Sequence, residues 1–312
     1  MSKQPGKTSL VILAAVLGVA CAQFGFAQTF HSVSVSLPSN AAIVGISAGG
    51  NSVWAADTAG NAYSYSYGAS GFTRYGQTGV AKTQIAAGGG NSFSLQPDAV
   101  WTLDGSGNIY QLTASGFVKV PGSLSQIAVG QGGRDSCHPY EVWGINATDE
   151  VFRFDYCSGQ FNQEPGALAQ IAVGGAGVWG LNSSQQIYEL DFATHALIQI
   201  PGTLRQIAVG PTGAWGLGLN NQVYQFDPVT QSFVAMSGQF LNQISAGGNG
   251  VWGISGLIGF NGPIWRLEPS TQSFVQVPGS LAFITVGTGG GIWGFTIPAE
   301  LGSTNVLAFS TP

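Results

Sequence analysis

Charge is what this sequence has least of. Only 9 Lys+Arg and 14 Asp+Glu occur among 312 residues, 7% of the chain, where a globular protein carries roughly 25%. The basic residues are scattered singly and the net charge is -5. No Lys/Arg patch can therefore neutralise a run of phosphates or an anionic bilayer, which argues against nucleic acid and membrane surfaces as partners. The charged, straight-chain residues that solvate helix surfaces are too few for a helical protein, so an all-β chain is expected. Histidine and cysteine are equally sparse, at 3 each. Disorder is excluded by a hydrophobic share of 44%. Glycine, by contrast, is abundant at 48 residues without a three-residue period, which excludes collagen.

The first 28 residues read differently from the rest. Lys3 and Lys7 precede an apolar run from Leu10 to Ala20, followed by small residues around Ala22 and Ala27. This is the pattern of a secretory signal peptide, taken as residues 1–27, with a cut after Ala22 as the alternative. A retained anchor competes, because Leu10 to Ala27 is just long enough to cross a bilayer. A lipoprotein reading at Cys21 fits less well, since Gly18 stands where a bulky aliphatic residue is expected. Removal of the leader delivers residues 28–312 to the periplasm or the extracellular space, with no membrane insertion. It also leaves Cys137 and Cys157 as an even pair in an oxidising compartment. A disulfide between them is expected, two buried thiols being the alternative.

One unit of about 36 residues recurs along the remaining chain. Its cleanest copy runs Gln170-Ile171-Ala172-Val173-Gly174, then Val178-Trp179-Gly180-Leu181-Asn182, then Gln186 to Asp191, then Leu197 to Gly202. Each block alternates and is bounded by Gly, Asn, Ser or Pro, the pattern of four short antiparallel strands A to D. The B-strand tryptophans count seven copies: Trp54, Trp101, Trp143, Trp179, Trp215, Trp252 and Trp293. From the strand-A Ile to the Trp the interval is 8 residues in units 1, 4, 5 and 6, but 16 in unit 2 (Ile85 to Trp101) and unit 3 (Ile127 to Trp143). These two carry long A–B turns. From Trp to strand C it is 8 in units 1 to 5, but 12 in unit 6 (Trp252 to Ile264) and 13 in unit 7 (Trp293 to Val306), which carry long B–C turns.

Four-stranded sheets stacked radially about an axis suit such a repeat, because each twisted sheet buries its faces only against its neighbours. The expected fold is a single seven-bladed β-propeller over residues 28–312. Unit 7 ends after strand C, while Phe30 to Leu37 resembles an unpaired strand D. The N-terminal strand is therefore expected to complete the last blade and remove a raw edge.

A residue present in every blade is most economically explained by packing. Gly88, Gly130, Gly174, Gly210, Gly247 and Gly287, at the ends of the A strands, are read as tight-turn positions. The tryptophans are read as broad inter-sheet surfaces, and Asp57, Asp104, Asn146 and Asn182 as Asx turns of the B–C hairpins. With these residues in place, the blocks Ile-Ala-Val-Gly, Val-Trp-Gly-(Ile/Leu)-Asn, Ile-Tyr and Val-Pro-Gly-Ser-Leu resemble the tectonin repeat of tachylectin-like and fish-egg lectins, over residues 41 to about 297. The resemblance implies a propeller that recognises glycans, often on microbial surfaces, without catalysis. Two departures stand out: tachylectin-like members have six blades, and units 1 and 7 are degenerate (Trp54-Ala55-Ala56-Asp57 and Trp293-Gly294-Phe295-Thr296).

The inventory offers little catalytic chemistry. His31, His138 and His195 are too dispersed in the repeat to form a triad or a metal site. Asp104 to Asn108 looks superficially like a calcium loop but lacks the following Gly and the closing Glu, so a B–C hairpin is the better reading. Asn146 and Asn182 begin glycosylation sequons. No enzyme, cofactor or metal is expected. A neutral-sugar binder fits: aromatic rings stack on sugar C–H faces, amides and hydroxyls bond their hydroxyls, and repetition adds avidity. The leading reading is a secreted, multivalent, carbohydrate-binding propeller whose partners are glycans. The alternative is an envelope or extracellular scaffold that binds protein without sugar. The A–B and C–D turns share one face, so the insertions of units 2 and 3 should touch there, with Cys137 and Cys157 pinning them. Phe93, Arg134, His138, Tyr140 and Tyr156 are the candidate rim, competing with a pinned loop without function. Gly256 to Pro263, on the opposite face, is the rival patch.

Overall fold

The computed structural model describes residues 29–39, 41–66, 70–77, 82–90, 97–297 and 306–310. The leader and Phe93 lie outside these. The described residues form strands and turns only. Seven four-stranded blades follow one another, each hydrogen-bonded in the order A-B-C-D; five are separate antiparallel sheets, and the first and last are joined into one eight-stranded sheet. In blade 4 the strands are Gln170–Gly174, Gly177–Leu181, Gln186–Asp191 and Ala196–Thr203, with Ala172 opposite Trp179 and Trp179 opposite Glu189. Strand A of each blade touches strand A of the next. The last, Phe283–Val286, touches the first, Ile43–Ala48, and the ring is closed.

The N-terminal strand completes the closure. Thr29–Val35 pairs antiparallel with Val306–Ser310, from Thr29 opposite Ser310 to Val33 opposite Val306. Its last two residues then pair in parallel with Gly71 and Phe72 of blade 1. One strand thus supplies strand D of blade 7 and bridges to the neighbouring blade.

All seven B-strand tryptophans are buried, and their partners explain the repeat. Each indole lies against the strand C and D side chains of the following blade. Trp101 meets Phe154 and Phe161, Trp179 meets Phe226 and Phe233, and Trp293 meets Tyr65 and Phe72, at centroid distances of 4.5 to 5.8 Å. Burying one such ring is worth about 3 kcal/mol by area, and edge-to-face contact adds to it.

The strand-A glycines have a different cause from the one expected. None of the six has a positive φ. A Cβ on Gly174 would lie 2.4 Å from the Val209 carbonyl oxygen, and one on Gly287 would lie 2.3 Å from that of Gly49. At Gly88, Gly174, Gly247 and Gly287 glycine is required because backbones of neighbouring blades converge at the axis, not because the chain turns there. The Asx turns form as expected: Asp57 accepts from the Ala59 and Asn61 amides, and Asn182 from those of Ser184 and Gln186.

The unit 3 insertion is not a turn. Its extra residues lengthen strands A and B into a protruding hairpin, Gln126–Asp135 and His138–Ile145.

Candidate binding surfaces

On the A–B/C–D face the insertions of blades 2 and 3 do meet. The Tyr140 hydroxyl donates to the Pro97 carbonyl at 2.9 Å, and a Cβ on Gly89 would fall 2.4 Å from the Tyr140 ring. Cys137 and Cys157 form a disulfide with Cα atoms 5.0 Å apart, and the Tyr156 amide donates to the Cys137 carbonyl at 2.9 Å. His138 Nδ1 lies 2.8 Å from Asp135 Oδ1, and that hydrogen bond holds the Asp135 carboxyl below the usual range. Tyr156 turns inward. Its ring stands between Phe154 and Tyr140, at 4.8 and 5.8 Å, and burial pushes its phenol pKa up, offset in part by the neighbouring Trp101 indole. Neither the Tyr156 hydroxyl nor the Trp101 N–H makes a well-formed hydrogen bond. The Arg134 position lies on the hairpin strand; its side chain, like Phe93, is outside the described part. Tyr140, Tyr156 and His138 are thus brought together, with only Tyr140 and His138 toward the rim. Cys137, Asp155 and Cys157 cluster within 4.8 Å, but the sulfurs are joined to each other and offer no thiolate.

Two clefts open between blades on this same face, at equivalent places in the repeat. Each is lined by the A–B connections of both blades, a strand hairpin in blade 3 and turns in blades 4, 5 and 6, and by the end of strand C of the second blade. The cleft between blades 3 and 4, about 180 Å3, is bounded by Gln131, Glu141, Gly174, Gly175 and Phe192. Glu141 is buried in its wall, accepting from Trp143 Nε1 at 2.8 Å and from Arg153 at 2.7 and 3.1 Å. The Arg153 guanidinium lies over both Trp143 and Phe192. The cleft between blades 5 and 6, about 460 Å3, is bounded by Pro211, Gly248, Asn249, Arg266, Glu268 and Pro269. Arg266 covers Trp252 there and pairs with Glu268 at 3.2 Å. Pro269 occupies the position Phe192 has in blade 4.

The opposite face carries the rival patch. The long B–C loop of blade 6 exposes Leu257, Ile258 and Phe260 at 74, 75 and 64%. Asn261 fixes this loop to blade 7 by donating to the Ile297 carbonyl and accepting from its amide, both at 2.8 Å. Below the loop a cavity of about 380 Å3 reaches the D–A turn of blade 5. On the same face, Asp104 spends its oxygens on the Ser106 and Asn108 amides, the Asn108 side chain and Tyr110, so it is a hairpin residue as expected.

Sequence reasoning missed a set of glutamines. Gln84, Gln126, Gln170, Gln206 and Gln243 precede the strand-A Ile in five consecutive blades. Each reaches into the following blade. Gln126 accepts from the Ile171 amide at 3.0 Å and donates to its carbonyl at 3.3 Å, and Gln84 does the same to Ile127. Gln206 clasps Ile244 alike, while Gln170 and Gln243 accept from Ile207 and Ile284. The signal was the recurrence of a neutral polar residue beside an apolar one at a fixed place in the unit.

The sequence profile of one family, described as Tectonin domain, matches residues 42–196 and 167–300. No curated protein matches the chain. Among solved structures, the RRP9 WD40 repeats superpose with TM-score 0.64 at 9% identity, covering 91% of this chain and 98% of that one. YCF48 bound to D1 peptide gives 0.62 at 12%, covering 91% and 97%. Prp20p from Saccharomyces cerevisiae gives 0.60 at 11%, covering 86% and 83%. At these identities the likeness is one of fold.

Proposed function

The chain belongs to the tectonin family, and from that premise we propose that it is a secreted, non-catalytic propeller that binds neutral glycans in the inter-blade clefts of its A–B/C–D face. The observation carrying this reading is the recurrence of one cleft at the 3/4 and 5/6 junctions. Each presents backbone from A–B turn glycines beside one flat or charged side chain, the combination that hydrogen-bonds hydroxyls and packs against C–H faces. Rigid spacing of equivalent weak sites converts later contacts on a polyvalent surface into intramolecular ones. Tyr140 and His138 border the same face at the 2/3 junction. Export by the leader delivers the mature chain, beginning at Gln28, to the compartment where such glycans and the Cys137–Cys157 disulfide occur.

A glycan array with the mature protein, followed by calorimetry on the best sugar, tests the proposal. Saturable, sugar-competed binding is expected, weakened about tenfold by Phe192→Ala when measured well below the lowered melting temperature that loss of its packing on Arg153 brings. Silence across the array sinks it.

One observation favours a second reading, a protein-binding scaffold: three large apolar side chains stand in water on the blade 6 loop. The D1 peptide bound to YCF48 is consistent with such use of the fold. Array silence together with a stoichiometric co-purifying protein would select it.

A further inference from the structure

In a repeat protein the departures from the repeat carry information, and two of them meet on the B–C/D–A face. The residue before the strand-A Gln or its equivalent is Ser125, Ala169, Asn242 and Ala282 in blades 3, 4, 6 and 7, but Arg205 in blade 5. The B–C connection is short in blade 5 and long in blade 6. Arg205 and the long loop form two walls of the 380 Å3 cavity.

Arg205 is held entirely by neutral acceptors. Its Nε donates to Asn221 Oδ1 at 2.8 Å, and its Nη2 donates to the carbonyls of Leu241 and Asn242 at 2.9 Å each. Nη1 has no hydrogen-bond partner among the described residues, and no carboxylate among them pairs with the guanidinium. Partial burial lowers its pKa, the mark of a cation drawn from water without a counter-ion. No acidic residue lines the cavity, and its other wall is Leu257, Ile258, Phe260 and Phe283. A partly desolvated, uncompensated charge favours an anion. The exposed side chains opposite favour an apolar body that removes them from water. One cation matches one negative charge, and the volume lies within the range of small-molecule sites.

We propose that this cavity binds a compact amphipathic carboxylate, with its anion on Arg205 Nη1 and its apolar group beneath Leu257, Ile258 and Phe260. The site is on the face opposite the glycan clefts, so either can fail without the other.

The probes are 3-phenylpropanoate and its primary amide, titrated into the mature chain by calorimetry and ligand-observed NMR. The acid binds, and the amide binds about tenfold more weakly, the value of one charge-assisted hydrogen bond. Leu257→Ser with Phe260→Ser, both exposed, weakens the acid about tenfold and leaves the melting temperature in place. Arg205→Gln abolishes the preference for acid over amide; should that variant not fold, the acid–amide comparison and the loop variant decide alone. A short peptide ending in Phe with a free carboxylate identifies the source. Tighter binding than phenylpropanoate marks a polypeptide C-terminus, and weaker binding marks a free carboxylic acid. Equal binding of acid and amide, no saturation by either at millimolar concentration, or indifference to the loop substitutions overturns the proposal.

Discussion

The Phe30 ring stands edge-on to the Trp252 indole, with centroids 6.2 Å apart, and both lie against Phe309. Around Trp101, Trp179 and Trp293 the strand D ring follows its strand C neighbour in the same stretch of sequence. Here it comes from the other end of the chain. Phe30→Ala should lower stability by about 2–3 kcal/mol, toward the low end for a core Phe because the ring is only part buried. Deleting residues 28–38 should abolish cooperative unfolding altogether. Urea melts of both variants check this, and a truncated chain that melts like the parent refutes closure by this strand.

Gln126→Ala should cost about 1–3 kcal/mol, because the Ile171 amide and carbonyl both lose a partner at a part-buried seam. Chemical denaturation of the variant measures it. A loss within error would show that water replaces the clasp.

Cys137→Ser with Cys157→Ser should lose about 3 kcal/mol in the chain-entropy account, for a bridge spanning a sequence separation of 20. The wild type in reductant should melt at the temperature of the double variant. If it melts higher, the serines themselves are damaging the hairpin.

Glu141 and Arg153 are buried together, at 2% and 6% side-chain exposure. Glu141→Gly alone should cost about 3–5 kcal/mol by stranding the guanidinium. Glu141→Gly with Arg153→Gln should recover much of that, because blade 5 has Gly213 and Gln225 at these two positions. Thermal melts of the single and double variants give the coupling.

Two kinds of carboxylate give opposite pH dependences. Burial raises the Glu189 pKa, with Asp191 adding to it. The folded state therefore holds its proton more tightly than the unfolded chain, and the stability this gives is lost as pH rises through the folded value. Glu189→Gln should raise the melting temperature at pH 7, with the gain vanishing below about pH 4. Asp227 is lowered, first by the Val229 amide and then by Thr230. Its contribution is present above the unfolded pKa and lost as pH falls through the folded one. Asp227→Asn should destabilise at pH 7 and make little difference at about pH 2. Melting temperature against pH for the two variants tests both signs.

Much of the ring was legible in the order of residues. The seven tryptophans counted the blades because an indole between every pair of sheets cannot be omitted without a cavity. The unpaired strand at one end and the missing one at the other announced closure. What could not be read was the direction of side chains relative to neighbouring blades. Tyr156 sits in a turn-like stretch that suggested a rim, yet its ring packs inward against Phe154. The glycines suggested turns, since only three dimensions reveal that Gly174 lies against Val209. Arg205 and the blade 6 loop lie about fifty residues apart and share no motif, so their meeting depends on the ring geometry.

The glutamine clasps link blades 2 through 7 in an unbroken arc, and among the described residues none joins blade 1 to blade 2 or to blade 7; the junction of blades 7 and 1 is crossed instead by Thr29–Val35, paired with Val306–Ser310 on one side and with Gly71 and Phe72 on the other. That junction is the molecule's gate. With Thr29–Val35 detached, the arc offers one free edge at Val306–Ser310, and the detached strand of a second molecule matches it equally well. Refolding at high concentration should therefore yield dimers that have traded first strands, each ring latched by the other's N-terminus.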